Sequence, residues 1–140
     1  MIYLVVPGEP CGKQRARTFY DRRVGRVVSK TPEKTKNYET FIRELFAVKY
    51  AGFLPLADAV RLRINIYRGI PKSESQKRAG KMEATLIRPT TRPDASNVLK
   101  AVEDALNGLA FRDDSQLVEV LVQKYYSHTP RVEISLEGMS

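Results

Sequence analysis

The chain has 140 residues, 42% of them hydrophobic and 29% charged, with a formal net charge of +8 at pH 7. This length predicts a single domain over residues 1–140 with a substantial core. No apolar run approaches the ~18–20 residues that span a bilayer, and residues 1–6 are too short for a secretory signal, so we expect no membrane partner. One cysteine, Cys11, excludes an internal disulfide framework and fits a reducing cytoplasm.

Strand patterns dominate the first thirty residues. Residues 1–6 are β-branched, aromatic and aliphatic, which predicts a buried opening strand, followed by a loop over 7–12. Residues 17–20 and 26–29 predict the two strands of a hairpin that turns over 21–25.

A helix is predicted next. Thr31 as the N-cap, Pro32 as the first helical residue and Glu33 in the first turn form a helix start. Residues at helical spacing extend this helix to about Tyr50. Its predicted buried stripe consists of Tyr38, Phe41, Ile42, Leu45 and Lys49.

The centre of the chain contains one strand, one polar segment and a second helix. Residues 60–67 alternate between apolar and polar, which is typical of a strand with one buried face. Residues 70–88 are polar and basic, and we interpret them as a mobile loop with one helical turn near 75–81. The second helix is predicted over 94–107, with Gly108 at its C-terminal end.

Two further alternating strands, over 117–126 and 131–137, complete the chain. The order of elements predicts an α+β domain in which two main helices pack on one mixed sheet of about five to six strands.

Polar residues of the second helix and of the turn after it form the candidate site. Asn97, Lys100 and Asp104 are spaced to share one helix face, and Asp94 stands at the helix start. Because Asp114 precedes the next strand, we expect it to face Asp94. Oxygen ligands with no nearby His or Cys select Mg²⁺ or Mn²⁺, which can clamp a phosphodiester while Lys100 neutralises charge in the transition state.

Structural roles compete with these assignments. Asp94 can simply cap the helix, which is compatible with metal binding, and Asp113 with Asp114 can form a plain turn. For Asp104 we favour the structural interpretation, an ion pair with Lys100 one turn earlier.

The positive charge lies in two blocks, residues 1–36 and 60–100, while the last forty residues are acidic. Excess positive charge beside an acidic site favours binding of a phosphate polymer over simple solvation of the surface. Such residues contact the DNA backbone without reading its sequence. The candidate DNA-binding residues are Lys13, Arg15, Arg17, Lys34, Lys36, Arg92 and Asn97.

The run from Arg92 to Gly108, followed by Asp113-Asp114-Ser115-Gln116, resembles the signature of RusA-type Holliday junction resolvases. Residues 8–17, the helix start at 31–35 and Lys124 are also similar to members of that family. The resemblance implies a small Mg²⁺-dependent homodimeric endonuclease, often encoded by phages and prophages. Such an enzyme resolves four-way DNA junctions by paired nicks in recombination and repair.

The resemblance also implies roles for individual residues. The family's first motif aspartate falls on Asp94, its catalytic lysine on Lys100 and its last metal aspartate on Asp114. The family's second aspartate is replaced by Ser96, a neutral and weaker ligand. Either Asp113, Asp104 or Glu103 then completes the ligand set, or metal binding or activity is weaker than in relatives. A non-cleaving protein that binds branched DNA through a degraded metal site is therefore the alternative function.

Overall fold

The computed structural model describes residues 1–14, 17–30 and 33–139. Four strands form the main sheet: β1 (Ile2–Pro7), β4 (Ala59–Gly69), β5 (Leu117–Ser127) and β6 (Arg131–Met139). Their order is β1-β6-β4-β5, with β1 and β5 at the edges. Strand β6 pairs antiparallel with both β1 and β4, whereas β5 pairs parallel with β4, so the sheet is mixed as predicted.

The predicted hairpin is confirmed as β2 (Arg17–Asp21) and β3 (Arg26–Lys30), but it forms a two-stranded sheet of its own. The six strands therefore divide into two sheets, where we expected one. Tyr20 and Val27 remain 62% and 63% exposed. The hairpin buries no apolar face, so burial of apolar surface does not favour its addition to the main sheet.

Two helices, α1 (Glu33–Lys49) and α3 (Ala95–Leu106), share the buried core with the main sheet, which confirms the α+β class. Ile42 is buried as predicted, but the stripe otherwise differs, because Phe46 is buried while Phe41 and Lys49 are exposed. The expected start at Thr31 and Pro32 lies outside the described residues.

The segment predicted as a mobile loop contains a further helix, α2 (Gln76–Glu83), so that prediction is wrong in extent. Ser75 caps α2 by accepting a hydrogen bond from the backbone N–H of Arg78 at 3.3 Å. Met82 is only 2% exposed, and α2 lies against β5. A single buried side chain thus anchors a helix whose other residues give little hydrophobic periodicity.

The end of α3 is as predicted and positions the next strand. Gly108 has a φ of +82°, the left-handed conformation that glycine adopts without strain, so the chain turns directly after the helix. The fully buried Phe111 follows, and β5 then runs beside α3. Across the described ranges, no helix is long and apolar enough to cross a membrane.

Candidate functional site

Asp94 occupies the N-cap position of α3, yet its carboxylate does not cap the helix. Among the described residues it accepts no capping hydrogen bond from a backbone N–H of the first turn. It accepts instead from the Asn97 side chain, with 3.3 Å between Nδ2 and Oδ2. Asp94 is exposed, and its carboxylate is therefore accessible to a cation or to water.

An open cavity of about 790 Å³ lies in front of Asp94, between the loop before β2, the end of β4 and the start of α3. Four cationic side chains line it, together with Asn97 and the carboxylates of Asp94 and Glu9. These cations are Lys13, Lys34, Arg68 and Arg92. A cavity with this lining suits a phosphate group, because cations and the positive end of a helix dipole attract anions.

A close approach of two backbones builds one wall of this cavity. The backbone N–H of Lys13 donates to the carbonyl of Asn97 at 2.8 Å. A Cβ at Gly12 would lie 2.9 Å from the Cβ of Asn97 and 3.2 Å from the Cβ of Pro93. Only glycine therefore allows the loop to dock on α3 without displacement.

Lys13 joins α1 to α3. Its Nζ lies 3.0 Å from Glu39 Oε1 and 2.6 Å from Asp104 Oδ2. Burial acts to lower the pKa of Lys13, but the hydrogen bonds to Asp104 and Glu39 outweigh it and the pKa is raised. Lys13, which the sequence predicted as a DNA contact, thus forms ion pairs with Glu39 and Asp104 within the protein.

A second group of charged side chains surrounds Lys100, in the middle of α3. Lys100 Nζ lies 3.4 Å from Asp104 Oδ1, which matches the ion pair expected from their spacing, and 4.0 Å from Asp114 Oδ2. Burial raises the pKa of Glu103, Lys100 opposes the rise, and the charges of Asp114 and Asp104 add to it. Lysine and carboxylates therefore share one solvent-accessible cluster.

The turn that carries Asp114 is a short 3₁₀ helix, Asp114–Gln116, with Asp113 as its N-cap. The Asp113 carboxylate accepts a hydrogen bond from the Ser115 backbone N–H at 3.1 Å. These hydrogen bonds from Ser115 lower the pKa of Asp113. Of the two adjacent aspartates, Asp113 stabilises the turn whereas Asp114 faces Lys100.

Asp94 contacts Asn97 and Asp114 contacts Lys100, and the expectation that the two aspartates face each other stays a prediction. On the sheet, Lys124 interacts electrostatically with Asp94, and its Nζ donates to the Thr91 carbonyl at 2.7 Å. Burial lowers the pKa of Lys124, Asp94 opposes this and Arg68 adds to it. Within 1–14, 17–30 and 33–139, no three His, Cys, Asp or Glu residues form a group that could hold a metal ion.

The donor chemistry nevertheless fits a hard divalent cation. Asp94 and Asp114 offer carboxylate oxygens that are not used in capping hydrogen bonds, and neither has a sulfur or imidazole neighbour among its contacts with the described residues. Ser96, in the first turn of α3, is exposed and stands on the same helix face as Lys100 and Glu103. Asp94 and Asp114 thus carry the kind of oxygen donor that such an ion prefers.

The remaining predicted DNA-binding residues have different positions. Lys34 and Arg92 line the cavity, and Lys36 is exposed on α1. Arg17 begins β2, and Arg15 lies outside the described residues. The sequence did not single out Gly12 or Gln116 for any role, although the Asp-x-x-Gln spacing of 113–116 is a capping-box signal.

Comparison with known proteins gives two findings. Residues 7–137 match the family described as "Endodeoxyribonuclease RusA". The chain is also 38% identical, over 141 aligned positions, to the uncharacterised protein YqaN of Bacillus subtilis strain 168. That alignment covers 99% of this chain and 97% of YqaN. The family comprises DNA endonucleases that act on branched junctions and are generally metal-dependent.

Proposed function

Because the chain belongs to the RusA endodeoxyribonuclease family, we propose that it is a Mg²⁺-dependent, structure-selective endonuclease. It resolves four-way DNA junctions by paired nicks in DNA recombination and repair, and acts in the cytoplasm, where its substrate is. The observation that carries the proposal is the contact of Lys100 with Asp114, on the same helix whose N-terminus opens on a cationic cavity.

Each group of side chains has a role in this reaction. Asp94 and Asp114 are the catalytic carboxylates and hold the metal, with Ser96 as a neutral donor and Asp113 as the support of the turn. When bound, Mg²⁺ or Mn²⁺ stabilises the charge that develops on the phosphodiester and activates water. Lys100 orients the scissile phosphate and neutralises the transition state.

The cationic cavity receives the DNA backbone. Lys34 and Arg92 offer charged donors there, and the Asn97 side chain lies beside Asp94. Contacts of this kind fix the position of the DNA and make binding weaker as the salt concentration rises. Lys13 contributes mainly by holding α1 and α3 together, because both of its carboxylate partners lie within 3.0 Å.

We further propose that the active form is a homodimer. Two nicks on opposing strands require two sites related by a twofold axis. The Tyr3 backbone on the β1 edge is already bonded to Tyr50 and Lys49, whereas the first half of β5 exposes Val118, Val120 and Leu121. Edge β5 therefore offers more surface to a second copy. Sedimentation showing only monomers at concentrations that resolve junctions would contradict the homodimer.

The test is incubation of the purified protein with an end-labelled four-way junction and Mg²⁺. We expect symmetric nicks near the branch point, with no nicks when the metal is chelated and none on linear duplexes of the same sequence. A retarded junction band without nicks would instead support the non-cleaving alternative. Ser96 in place of an acidic residue, and the lack of a three-acid group in the described part of the chain, favour that second candidate.

A further inference from the structure

The Gln116 side chain is the centre of a hydrogen-bond network beside Asp114. Its Oε1 accepts from the Asp113 backbone N–H at 2.8 Å. Its Nε2 donates to the backbone carbonyls of Leu56 and Asp58, each at 2.8 Å. One amide group therefore satisfies three backbone groups from two separate segments.

These bonds attach the Asp113–Asp114 turn to the connection between α1 and β4. The same connection makes two backbone hydrogen bonds to the chain ahead of the turn, Leu56 N–H to the Ala110 carbonyl at 2.9 Å and Arg112 N–H to the Leu56 carbonyl at 3.3 Å. Both backbone bonds lie before Asp113, so Gln116 supplies the side-chain attachment on the other side of Asp114. Gln116 therefore ties the turn that carries Asp114 to residues 56–58, directly before Leu117 pairs with Val60 of β4.

We propose that Gln116 is a positioning residue of the metal site: it fixes Asp114 in the orientation that binds the cation. The role requires an amide, because one atom must accept from Asp113 while the other donates to two carbonyls. A glutamate has the same shape but no donor, and its second oxygen would face the Leu56 and Asp58 carbonyls. The inference rests on the proposed function, since Asp114 must be a metal ligand.

The test compares Gln116→Glu and Gln116→Met with the wild-type protein by direct titration with Mn²⁺, without DNA, using the electron paramagnetic resonance of the free ion. Gln76→Glu is the matched control, because it makes the same chemical change at an exposed residue in the first turn of α2. Thermal unfolding identifies the variants that are folded at the assay temperature, and the uncharged Gln116→Met remains available if the glutamate prevents folding.

We expect both Gln116 variants to bind Mn²⁺ about 10–100-fold more weakly, the range found when a group that orients a metal ligand is removed. Gln76→Glu should bind like the wild type. In an Asp114→Asn background, Gln116→Met should cause no further loss, because it acts through Asp114. Junction affinity measured without metal should stay unchanged.

A lower melting temperature with unchanged Mn²⁺ affinity would reduce Gln116 to a purely structural residue and overturn the inference. Absence of Mn²⁺ binding by the wild type, or a further loss in the Asp114→Asn background, would also overturn it. The proposed function is tested separately, because a wild-type protein that binds Mn²⁺ but does not nick junctions would contradict the nuclease and leave the positioning effect measurable.

Discussion

The two ends of α3 carry the same kinds of side chain in different surroundings. At the N-terminal end, Asp94 is exposed and contacts Asn97 in front of an open cationic cavity. From the middle of the helix toward its C-terminal end, Lys100 lies between Asp104 and Asp114, and a hydrogen-bonded turn holds Asp114. The first end is open toward a ligand, whereas the charges of the second largely compensate one another.

This difference indicates a division of labour along one helix. An accessible carboxylate beside cations suits a metal ion that arrives together with a phosphate, since the cations attract the anion and the carboxylate attracts the metal. Lys100 reduces the repulsion between the Asp104 and Asp114 carboxylates, and these ion pairs keep it beside Asp114. We therefore expect substitutions of Asp94, Lys100 and Asp114 to affect chemistry, and substitutions of the other side chains and of the backbone wall around the cavity to affect binding and stability.

The largest expected effect is that of Asp114→Asn. Loss of the carboxylate should reduce nicking below detection, which exceeds the ~10²–10³-fold loss for one transition-state donor. Junction binding should survive or tighten, because repulsion of phosphate decreases. Asp113→Asn is the matched control, since asparagine is as good an N-cap as aspartate and should preserve the turn. Gel assays of nicking and of binding check both variants, and nicking by Asp114→Asn at the wild-type rate would remove it from the ligand set.

Lys100→Ala should reduce turnover by about 10²–10³-fold and change junction affinity little. The reason is that the lysine contact strengthens as charge develops on the phosphate. Single-turnover rates and binding constants separate the two effects. The control is Lys77→Ala, which removes the same charge from an exposed position on α2. Equal losses of turnover and affinity in Lys100→Ala would make Lys100 a phosphate anchor and weaken the division of labour.

Much of the frame of this site could be predicted from local sequence signals. The bounds of α3, the turn at Gly108 and the Lys100–Asp104 pair depend on residues within a few positions of one another. The alternation in β4 likewise reports a buried face directly. Asp114 could be named as a candidate site residue from its place in the sequence, because it comes after α3 and directly before β5.

The remaining features depend on contacts between distant parts of the chain. Lys13 pairs with Asp104 across 91 positions, so no local pattern distinguishes it from a solvated lysine. The need for glycine at position 12 arises only where its loop meets Asn97. Helix α2 was predicted only as one helical turn within a loop, because its stability depends on packing: Met82 is buried and α2 lies against β5.

Gly12→Ala should disturb the start of α3 and the loop that carries Lys13. The added methyl group would lie 2.9 Å from the Asn97 Cβ, so the loop or the helix start must shift. We expect a loss of stability of about 1–3 kcal/mol from this overpacking, and junction affinity reduced more than the rate of the bound enzyme. Gly80→Ala is the control, because a methyl group added at Gly80 would meet nothing within 4 Å and alanine should stabilise α2 by roughly 0.5–1 kcal/mol.

Chemical denaturation and single-turnover nicking measure the two effects of Gly12→Ala. An unchanged junction affinity in a folded, destabilised Gly12→Ala protein would show that the cavity wall does not contribute to DNA binding.

The smallest expected effect is that of Ser96→Asp, which tests whether the side chain at position 96 contributes to metal binding. Ser96 is exposed one turn before Lys100, on the same face as Lys100 and Glu103. A carboxylate there should stabilise the start of α3 by ~0.3–1 kcal/mol through the helix dipole. It should also lower the Mg²⁺ concentration for half-maximal nicking, because a carboxylate binds a hard cation more strongly than a hydroxyl does.

Ser73→Asp, at an exposed position before α2, controls for the added negative charge. Lower activity of Ser96→Asp would indicate that Glu103 or Asp113 already fills the position and that the new charge crowds it. An unchanged metal titration would place Ser96 outside the coordination sphere.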